Sequence, residues 1–285
     1  MYVAEVSFPF AKNLELNLIS DLVNRALAAW RMNGQVCNRE WPITIFDNAA
    51  SATVLIPEPV SLEKNISNEY VRKALSELLD KGRCSPEVKI KGDDIDSGEV
   101  CSCSQVNSYV LYTTYISLES PLRCGDCFGP IPLYKIPPTD GDEFYNLICW
   151  QSDYSSCDAL QMNCSTLERA ATREMSSHDS SLSKQGLAVC QVITNSTAIP
   201  TYYYLYRNNG RSRKSERQRK CPSCGGEWLL EERFHCFDFK CERCRLLSNI
   251  AWNIRPNNGA DTGGIPETFT ELWTIKHTVP KSPRS

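Results

Sequence analysis

The chain has 285 residues, 41% of them hydrophobic and 23% charged, and a formal net charge of −3. That is the composition of a globular protein with room for two or three cores. No apolar run approaches the roughly 18 residues of a membrane span, and the N-terminus lacks the basic start and small-residue cleavage site of a secretory signal.

In chain order, Tyr2–Phe8 alternates as a strand does. Asn17–Met32 then places Ile19, Leu22, Val23, Ala26, Leu27 and Trp30 on one helical face, with Gly34 as its stop. Trp41–Phe46 and Ala52–Ile56 read as a hairpin around Asp47-Asn48-Ala49-Ala50. A second helix over Asn68–Lys81 carries Tyr70, Val71, Ala74, Leu75, Leu78 and Leu79 and is closed by Gly82, and Glu87–Lys91 reads as a last strand. The order β-α-β-β-α-β predicts a ferredoxin-like α+β sandwich over residues 1–92. That pattern hosts many functions and says little about activity.

Asp93–Glu99 is acidic and reads as a linker into a cysteine-containing α+β middle region, residues 100–199. There Cys101-Ser102-Cys103 and Cys124-Gly125-Asp126-Cys127 flank a predicted strand, Ser108–Leu118. The two groups offer a second four-sulfur zinc site; buried, unligated thiols are the alternative, because two cysteines separated by one residue need unusual backbone to share a metal. Phe144–Gln151 is predicted as a strand, and Asp153–Cys164, Thr166–Met175 and Ser181–Thr194 as helices. Ser177-His178-Asp179 sits in the turn between the last two. Neighbours on a turn do not aim at one another, so this reads as a helix-capping loop rather than a catalytic triad.

The charge is uneven. Residues 1–199 hold 16 Lys and Arg against 25 Asp and Glu, whereas residues 200–252 hold 11 against 6. Within 200–253, an aromatic strand (Pro200–Arg207) leads through Asn208-Asn209-Gly210 into a basic run in which Arg207, Arg211, Arg213, Lys214, Arg217, Arg219 and Lys220 face only Glu216. The clearest motif follows. Cys221 and Cys224 make one C-x-x-C, Cys241 and Cys244 another, sixteen residues apart, the spacing of a four-cysteine zinc site. A C-x-x-C on a tight turn aims two thiolates at one point, and two such knuckles complete a tetrahedron. Glu227–Leu230, Phe234–Phe239 and Leu246–Trp252 supply the strands of a zinc ribbon. A closed four-sulfur site is structural and does no chemistry, and in so small a core the metal would supply most of the folding free energy, about 10–16 kcal/mol. Residues 254–285 read as a mobile tail, with Trp273 and Ile275 as candidates to dock.

The runs Y-Y-Y-L-Y-R-x-x-G-R-S, C-P-S-C-G-G-E-W and F-D-F-K-C-E-R-C-R-L-L-S-N-I-A-W, with R-C-G-D-C-F-G-P-I-P-L-Y and C-D-A-L-Q-M-N-C before them, resemble a family of uncharacterised bacterial proteins described as zinc-ribbon-containing and nucleic-acid-binding. The similarity spans most of residues 1–253. It implies a bacterial, cytosolic protein with a ribbon at Cys221, Cys224, Cys241 and Cys244 and no known catalytic residue. Fifteen cysteines, including three C-x-x-C pairs, without a signal peptide point the same way, to a reducing cytoplasm and to metal ligation rather than disulfides.

The functional expectation is binding without catalysis. Basic residues 207–220 would neutralise about five phosphates, giving a log K against log[salt] slope of about −3.5 on single strands, with Tyr202, Tyr203, Tyr204, Tyr206 or Trp228 as stacking faces. The bland reading packs those aromatics in the core and leaves the cations solvated or screening an anionic zinc–thiolate centre. The alternative is a protein-interaction module: an immunity protein neutralising a bacterial toxin, whose basic cleft would meet Asp93, Asp94, Asp96 and Glu99, or an adaptor to a translation or transcription complex. An enzyme is disfavoured, since only His178, His235 and His277 are present and Cys157, Cys164 and Cys190 fall on predicted helices where buried thiols are the rule.

Overall fold

The computed structural model describes residues 1–11 and 14–254; the tail beyond 254, with Trp273, Ile275 and His277, lies outside the described residues. It is a mixed α+β structure with two sheets.

The N-terminal part runs β1 (Tyr2–Pro9), α1 (Leu16–Met32), β2 (Ile43–Phe46), β3 (Ala49–Ile56), α2 (Glu69–Gly82) and β4 (Glu87–Asp93), the element order expected. Its antiparallel sheet has the order β2-β3-β1-β4. Alternation in β1 buries Ala4, Val6 and Phe8 beneath the helices, against the whole predicted face of α1, Ile19 to Trp30. In α2 only part of the predicted face is used: Val71 and Leu78 are buried, while Tyr70 and Leu79 stay exposed. Asn68 caps this helix by accepting the Val71 amide at 2.9 Å. Gly82 does not stop it. It is the last helical residue, packed beside Leu22 and Ile19, and Arg83 takes the left-handed conformation (φ 50°). Nor is the acidic stretch after β4 a loose linker. Asp94 donates its amide to the Met1 carbonyl (2.9 Å), the Met1 ammonium donates to Ser97 Oγ (2.7 Å), and the Gly98 amide donates to Glu119.

The second part comprises β5 (Tyr109–Leu111), β6 (Leu122–Cys124), α3 (Tyr145–Met162), α4 (Glu168–Ser176), α5 (Ser181–Thr197), β7 (Thr201–Leu205), α6 (Arg213–Arg217), β8 (Leu229–Phe234), β9 (Phe237–Cys241) and β10 (Leu246–Ser248). These strands form one sheet, β6-β5-β7-β10-β9-β8, in which β7 pairs in parallel with both β5 and β10. The ribbon strands therefore continue the middle region's sheet, and both share one core. All five residues of β7 are buried. On one side a Cβ at Gly186 of α5 would come within 2.1 Å of the Tyr203 ring, so only glycine admits this helix–strand approach. On the other, Tyr204, Tyr112, Phe128 and Phe237 form an aromatic cluster with ring centroids 5.0–6.0 Å apart.

Two sequence expectations fail here for one reason. The predicted strand Phe144–Gln151 is the first half of an 18-residue helix, and the predicted strand Ser108–Leu118 ends at Leu111. The buried face of α3 is partly polar: Gln151 donates to the Glu119 carbonyl (2.8 Å), Ser155 to the Thr114 carbonyl (3.2 Å), and Asp158 accepts the Tyr115 amide (2.9 Å). Those side chains take the place of a strand partner for three backbone groups of the irregular segment 114–119. They also blur the apolar period that would have marked the helix. The turn before α5 is the capping loop expected, with Ser180 Oγ accepting the Ser183 amide at 3.1 Å.

Candidate metal centres and basic surface

The ribbon cysteines come together. The sulfurs of Cys221, Cys224, Cys241 and Cys244 all lie within 4.8 Å of one another, with Cys224 and Cys241 3.7 Å apart. Four sulfurs about 2.3 Å from one tetrahedral ion stand about 3.8 Å apart. The local backbone explains the convergence. The Cys221 amide donates to the Gly226 carbonyl (2.9 Å) and the Gly225 amide to the Cys221 carbonyl (2.8 Å), with Gly225 left-handed at φ 70°. In the second knuckle the Cys244 amide donates to Cys241 Sγ (3.4 Å), and Arg245 takes the same left-handed turn (φ 55°).

The middle cysteines converge as well: Cys101, Cys103, Cys124 and Cys127 also lie within 4.8 Å of one another, Cys103 and Cys124 at 4.0 Å. The four are thus placed as a metal site requires, which is the first of the two alternatives the sequence left open as far as geometry goes. Cys124–Gly129 repeats the hydrogen bonds of Cys221–Gly226: the Cys124 amide donates to the Gly129 carbonyl (2.9 Å) and the Phe128 amide to the Cys124 carbonyl (2.9 Å), with Phe128 at φ 62°. The Cys101–Cys103 half is not a knuckle. It lies alongside one, the Cys101 amide donating to the Pro130 carbonyl at 3.0 Å. A Cβ on Gly129 would stand 2.9–3.2 Å from the Glu99 carbonyl and the Cys101 backbone, so glycine is what lets this segment bring its sulfurs to the knuckle.

Four sulfurs at this spacing cannot all be anionic without a cation. The Gly226 amide and the neighbouring Cys244 thiol lower the pKa of Cys224 to about 7, while burial pushes Cys241 up to about 12. At the other centre, hydrogen bonding to Cys127 raises Cys103 to about 11, and burial raises Cys124. A divalent cation removes the conflict by binding all four as thiolates. Each cluster thus has the donors and spacing to hold one metal ion.

A contact no spacing rule would find joins the two centres. His235, in the β8–β9 turn at φ 56°, donates Nε2–H to the Gly125 carbonyl at 2.6 Å and stacks on Phe128 (centroids 4.9 Å, 25°). The ribbon hairpin thus seats on the middle knuckle.

The basic run divides in two. Glu216, only 1% exposed, pairs with Arg207 Nη2 (2.8 Å) and Arg219 Nε (2.9 Å). Arg219 also lies over Phe239 (4.3 Å) and Trp228 (5.5 Å) and donates to the Asn249 carbonyl (2.8 Å). Lys220 pairs with Glu227. Arg207 and Arg219 are thus fastened to a buried carboxylate, whereas Lys220 and Glu227 form an exposed surface pair. Arg211, Arg213, Lys214 and Arg217 are exposed and make no ion pair among the described residues. Ser212 caps α6 by accepting the Ser215 amide (3.2 Å), and Glu216 anchors its inner face, so the remaining cations sit on a fixed turn. The expected stacking faces are not available: Tyr202, Tyr203, Tyr204, Tyr206 and Trp228 are all at most 7% exposed.

The molecule is therefore an α+β protein of two sheets, with two four-cysteine centres on the second. The chain belongs to the family of a Haemophilus influenzae (strain ATCC 51907 / DSM 11121 / KW20 / Rd) protein described as "Uncharacterized protein": the two are 40% identical over 261 residues, 89% of this chain and 100% of that one. A second H. influenzae protein with the same description is 45% identical over 167 residues, 58% of this chain and 82% of its own length. Residues 103–206 match a domain of unknown function, DUF2310, and two further domains of unknown function, DUF8589 and DUF8594, match residues 1–92 and 210–254. Among solved structures, an antibiotic biosynthesis monooxygenase aligns at 10% identity with a TM-score of 0.26, over 32% of this chain and 98% of that one, too weak a likeness to bear on activity. Among the described residues no helix is long and apolar enough to cross a membrane.

Proposed function

We propose that each cysteine cluster holds a structural Zn²⁺ ion and that the ribbon end of the sheet binds nucleic acid through Arg211, Arg213, Lys214 and Arg217, without catalysis. The N-terminal part, read as a ferredoxin-like sandwich, is the acidic body to which this surface is attached. Four sulfur donors and no spare protein ligand suit Zn²⁺ in a scaffolding role. The observation that carries the nucleic-acid reading is the sorting of the basic run: once Arg207, Arg219 and Lys220 are assigned to their acidic partners, four exposed cations remain on a rigid turn. With Tyr202, Tyr203, Tyr204, Tyr206 and Trp228 buried, the contact is to phosphates rather than stacked bases.

The reading predicts binding with little sequence preference and a slope of log K against log[salt] of about −3.6 for duplex and about −2.8 for single strands, four phosphates being neutralised. Fluorescence anisotropy with mixed-sequence duplex and single-stranded oligomers, across a salt series, measures it. Arg213→Glu with Lys214→Glu should halve the slope or abolish binding at about 100 mM salt. Affinity unchanged in that variant, or independent of salt, rejects the reading and favours a protein partner.

A further inference from the structure

The two cysteine centres offer the same donors but not the same protection. At the ribbon centre none of the four cysteines is exposed, whereas at the middle centre Cys103 and Cys127 are. Cys127 Sγ accepts the Gly129 amide (3.4 Å), and the buried Cys124 Sγ accepts the Asp126 amide (3.3 Å). Cys103 Sγ receives no amide hydrogen among the described residues; its neighbours are the other sulfurs, with Cys124 at 4.0 Å. An N–H held on a sulfur draws off the electron density that makes a thiolate nucleophilic. Cys103 is thus the one sulfur of the two clusters that is both exposed and undamped.

The chain around Cys103 is also loosely secured. Residues 102–105 are exposed, and no backbone group of 102–106 is hydrogen-bonded among the described residues. The segment is tied at its ends, where the Cys101 amide donates to the Pro130 carbonyl (3.0 Å) and the Asn107 amide to Asp126 Oδ2 (2.8 Å). Between them only Val106 packs against the core. Such chain opens locally at little cost, so a small oxidant reaches the Cys103 sulfur from outside. An S–S bond is about 2.05 Å long, which leaves a gap of roughly 2 Å between Cys103 and Cys124 to be closed. This segment can cross it while the knuckle stays where β6 and the core hold it.

We propose that Cys103 is a site of reversible oxidation by hydrogen peroxide, and that a disulfide from Cys103 to the Cys124–Cys127 knuckle opens the middle centre while the ribbon centre stays closed. The inference rests on the reading that each centre holds Zn²⁺, which keeps its four sulfurs as thiolates. The Cys103 thiolate attacks one peroxide oxygen, so that an S–O bond forms, the O–O bond breaks and hydroxide leaves. A knuckle thiolate then attacks the Cys103 sulfur, so that the S–S bond forms, the S–O bond breaks and a second hydroxide leaves. Two thiolates have given two electrons to one peroxide, and two protons from solvent complete two waters. Two of the four donors then remain, too few for a closed site.

The test is hydrogen peroxide treatment of the full, zinc-loaded chain, with released Zn²⁺ followed by a metal-sensitive dye and disulfides mapped by mass spectrometry. One of two ions per chain should leave in an early phase, together with a disulfide between Cys103 and Cys124 or Cys127. A dithiol reductant with added Zn²⁺ should reverse both. Cys103→Ser should show the late phase alone, whereas Cys224→Ser, which opens the ribbon centre instead, should show the early phase alone. If either variant fails to fold, the disulfide map of the unaltered chain still decides. Two ions leaving together, ribbon cysteines oxidised first, or an early disulfide without Cys103 overturns the proposal and leaves the zinc reading standing. A purified chain whose middle cysteines hold no Zn²⁺ overturns both.

Discussion

The two cysteine centres are built from the same knuckle but closed differently. In the ribbon, two C-x-x-C turns face one another and Cys221 and Cys241 are buried. In the middle region a single knuckle is met by an extended Cys-x-Cys segment, and Cys103 and Cys127 are exposed. The ribbon centre thus sits where the chain itself brings the sulfurs together at both ends. At the middle centre the metal would pin one segment, 99–103, against a knuckle that β6 and the core already support. The difference teaches that the same donor set serves two ends: one centre defines local structure, and the other fastens a strap to structure that exists without it.

The expected consequences are unequal. With two Zn²⁺ bound, Cys241→Ser should reduce metal content from two ions per chain to one and lower Tm more than the loss of any ligand of the middle centre. It removes a ligand from a buried site whose ion contributes to folding, and the loss should reach several kcal/mol. The strands of the ribbon should not unfold entirely. Phe237, Phe239, Leu246 and Leu247 belong to the common core, which corrects the expectation of a small core held up by metal alone. Elemental analysis and calorimetric melting measure both effects, and a variant that still holds two ions breaks the comparison at its root. Cys103→Ser should also leave one ion but cost less stability, about 1–2 kcal/mol, the range of ordinary local losses. Because its thiolates are reached by solvent, the middle centre should also lose its ion first to a chelator with a thiol-modifying reagent, and the two release phases should be resolved with a metal-sensitive dye. Release in a single phase would mean that exposure does not distinguish the centres.

How far the chain announces this arrangement depends on the range of the interactions. The α1 face was legible because Ile19, Leu22, Val23, Ala26, Leu27 and Trp30 repeat at helical spacing along the helix. The ribbon cysteines were legible because a metal site constrains spacing within each pair. The left-handed residue closing each knuckle was legible only at Gly225; at Phe128 and Arg245 the side chain gives no hint of it, since the hydrogen bonds of the turn impose the conformation. Glu216 read as a lone opponent of a cationic run; Arg207 and Arg219, which pair with it, belong to that run, but the Ala251 amide that also meets it lies 35 residues on. The parallel pairing of β7 with β5 and β10 was invisible for the same reason: its partners lie about 90 residues before it and about 40 after it.

The contact between His235 and Gly125 spans 110 residues and gives the finest test of whether the two centres are independent. The Gly125 carbonyl lies inside the Cys124–Cys127 knuckle, and Gly125 itself is held close to Ser108, whose carbonyl accepts its amide at 2.7 Å. His235 therefore presses on the one part of the middle centre that is rigid, while its own position is fixed by the β8–β9 turn. His235→Ala should cost about 1 kcal/mol, a hydrogen bond and a ring contact at a partly exposed site. Its larger signature should be kinetic: ion release from the middle centre should quicken while the ribbon centre keeps its rate, because the ribbon's ligands come from the far ends of β8–β9 and the turn lies against the other knuckle. His235→Asn, which keeps a donor without the ring, separates the hydrogen bond from the stacking on Phe128. If both variants release metal from the two centres as the unaltered chain does, the hairpin merely lies beside the knuckle, and the centres share a sheet without influencing one another.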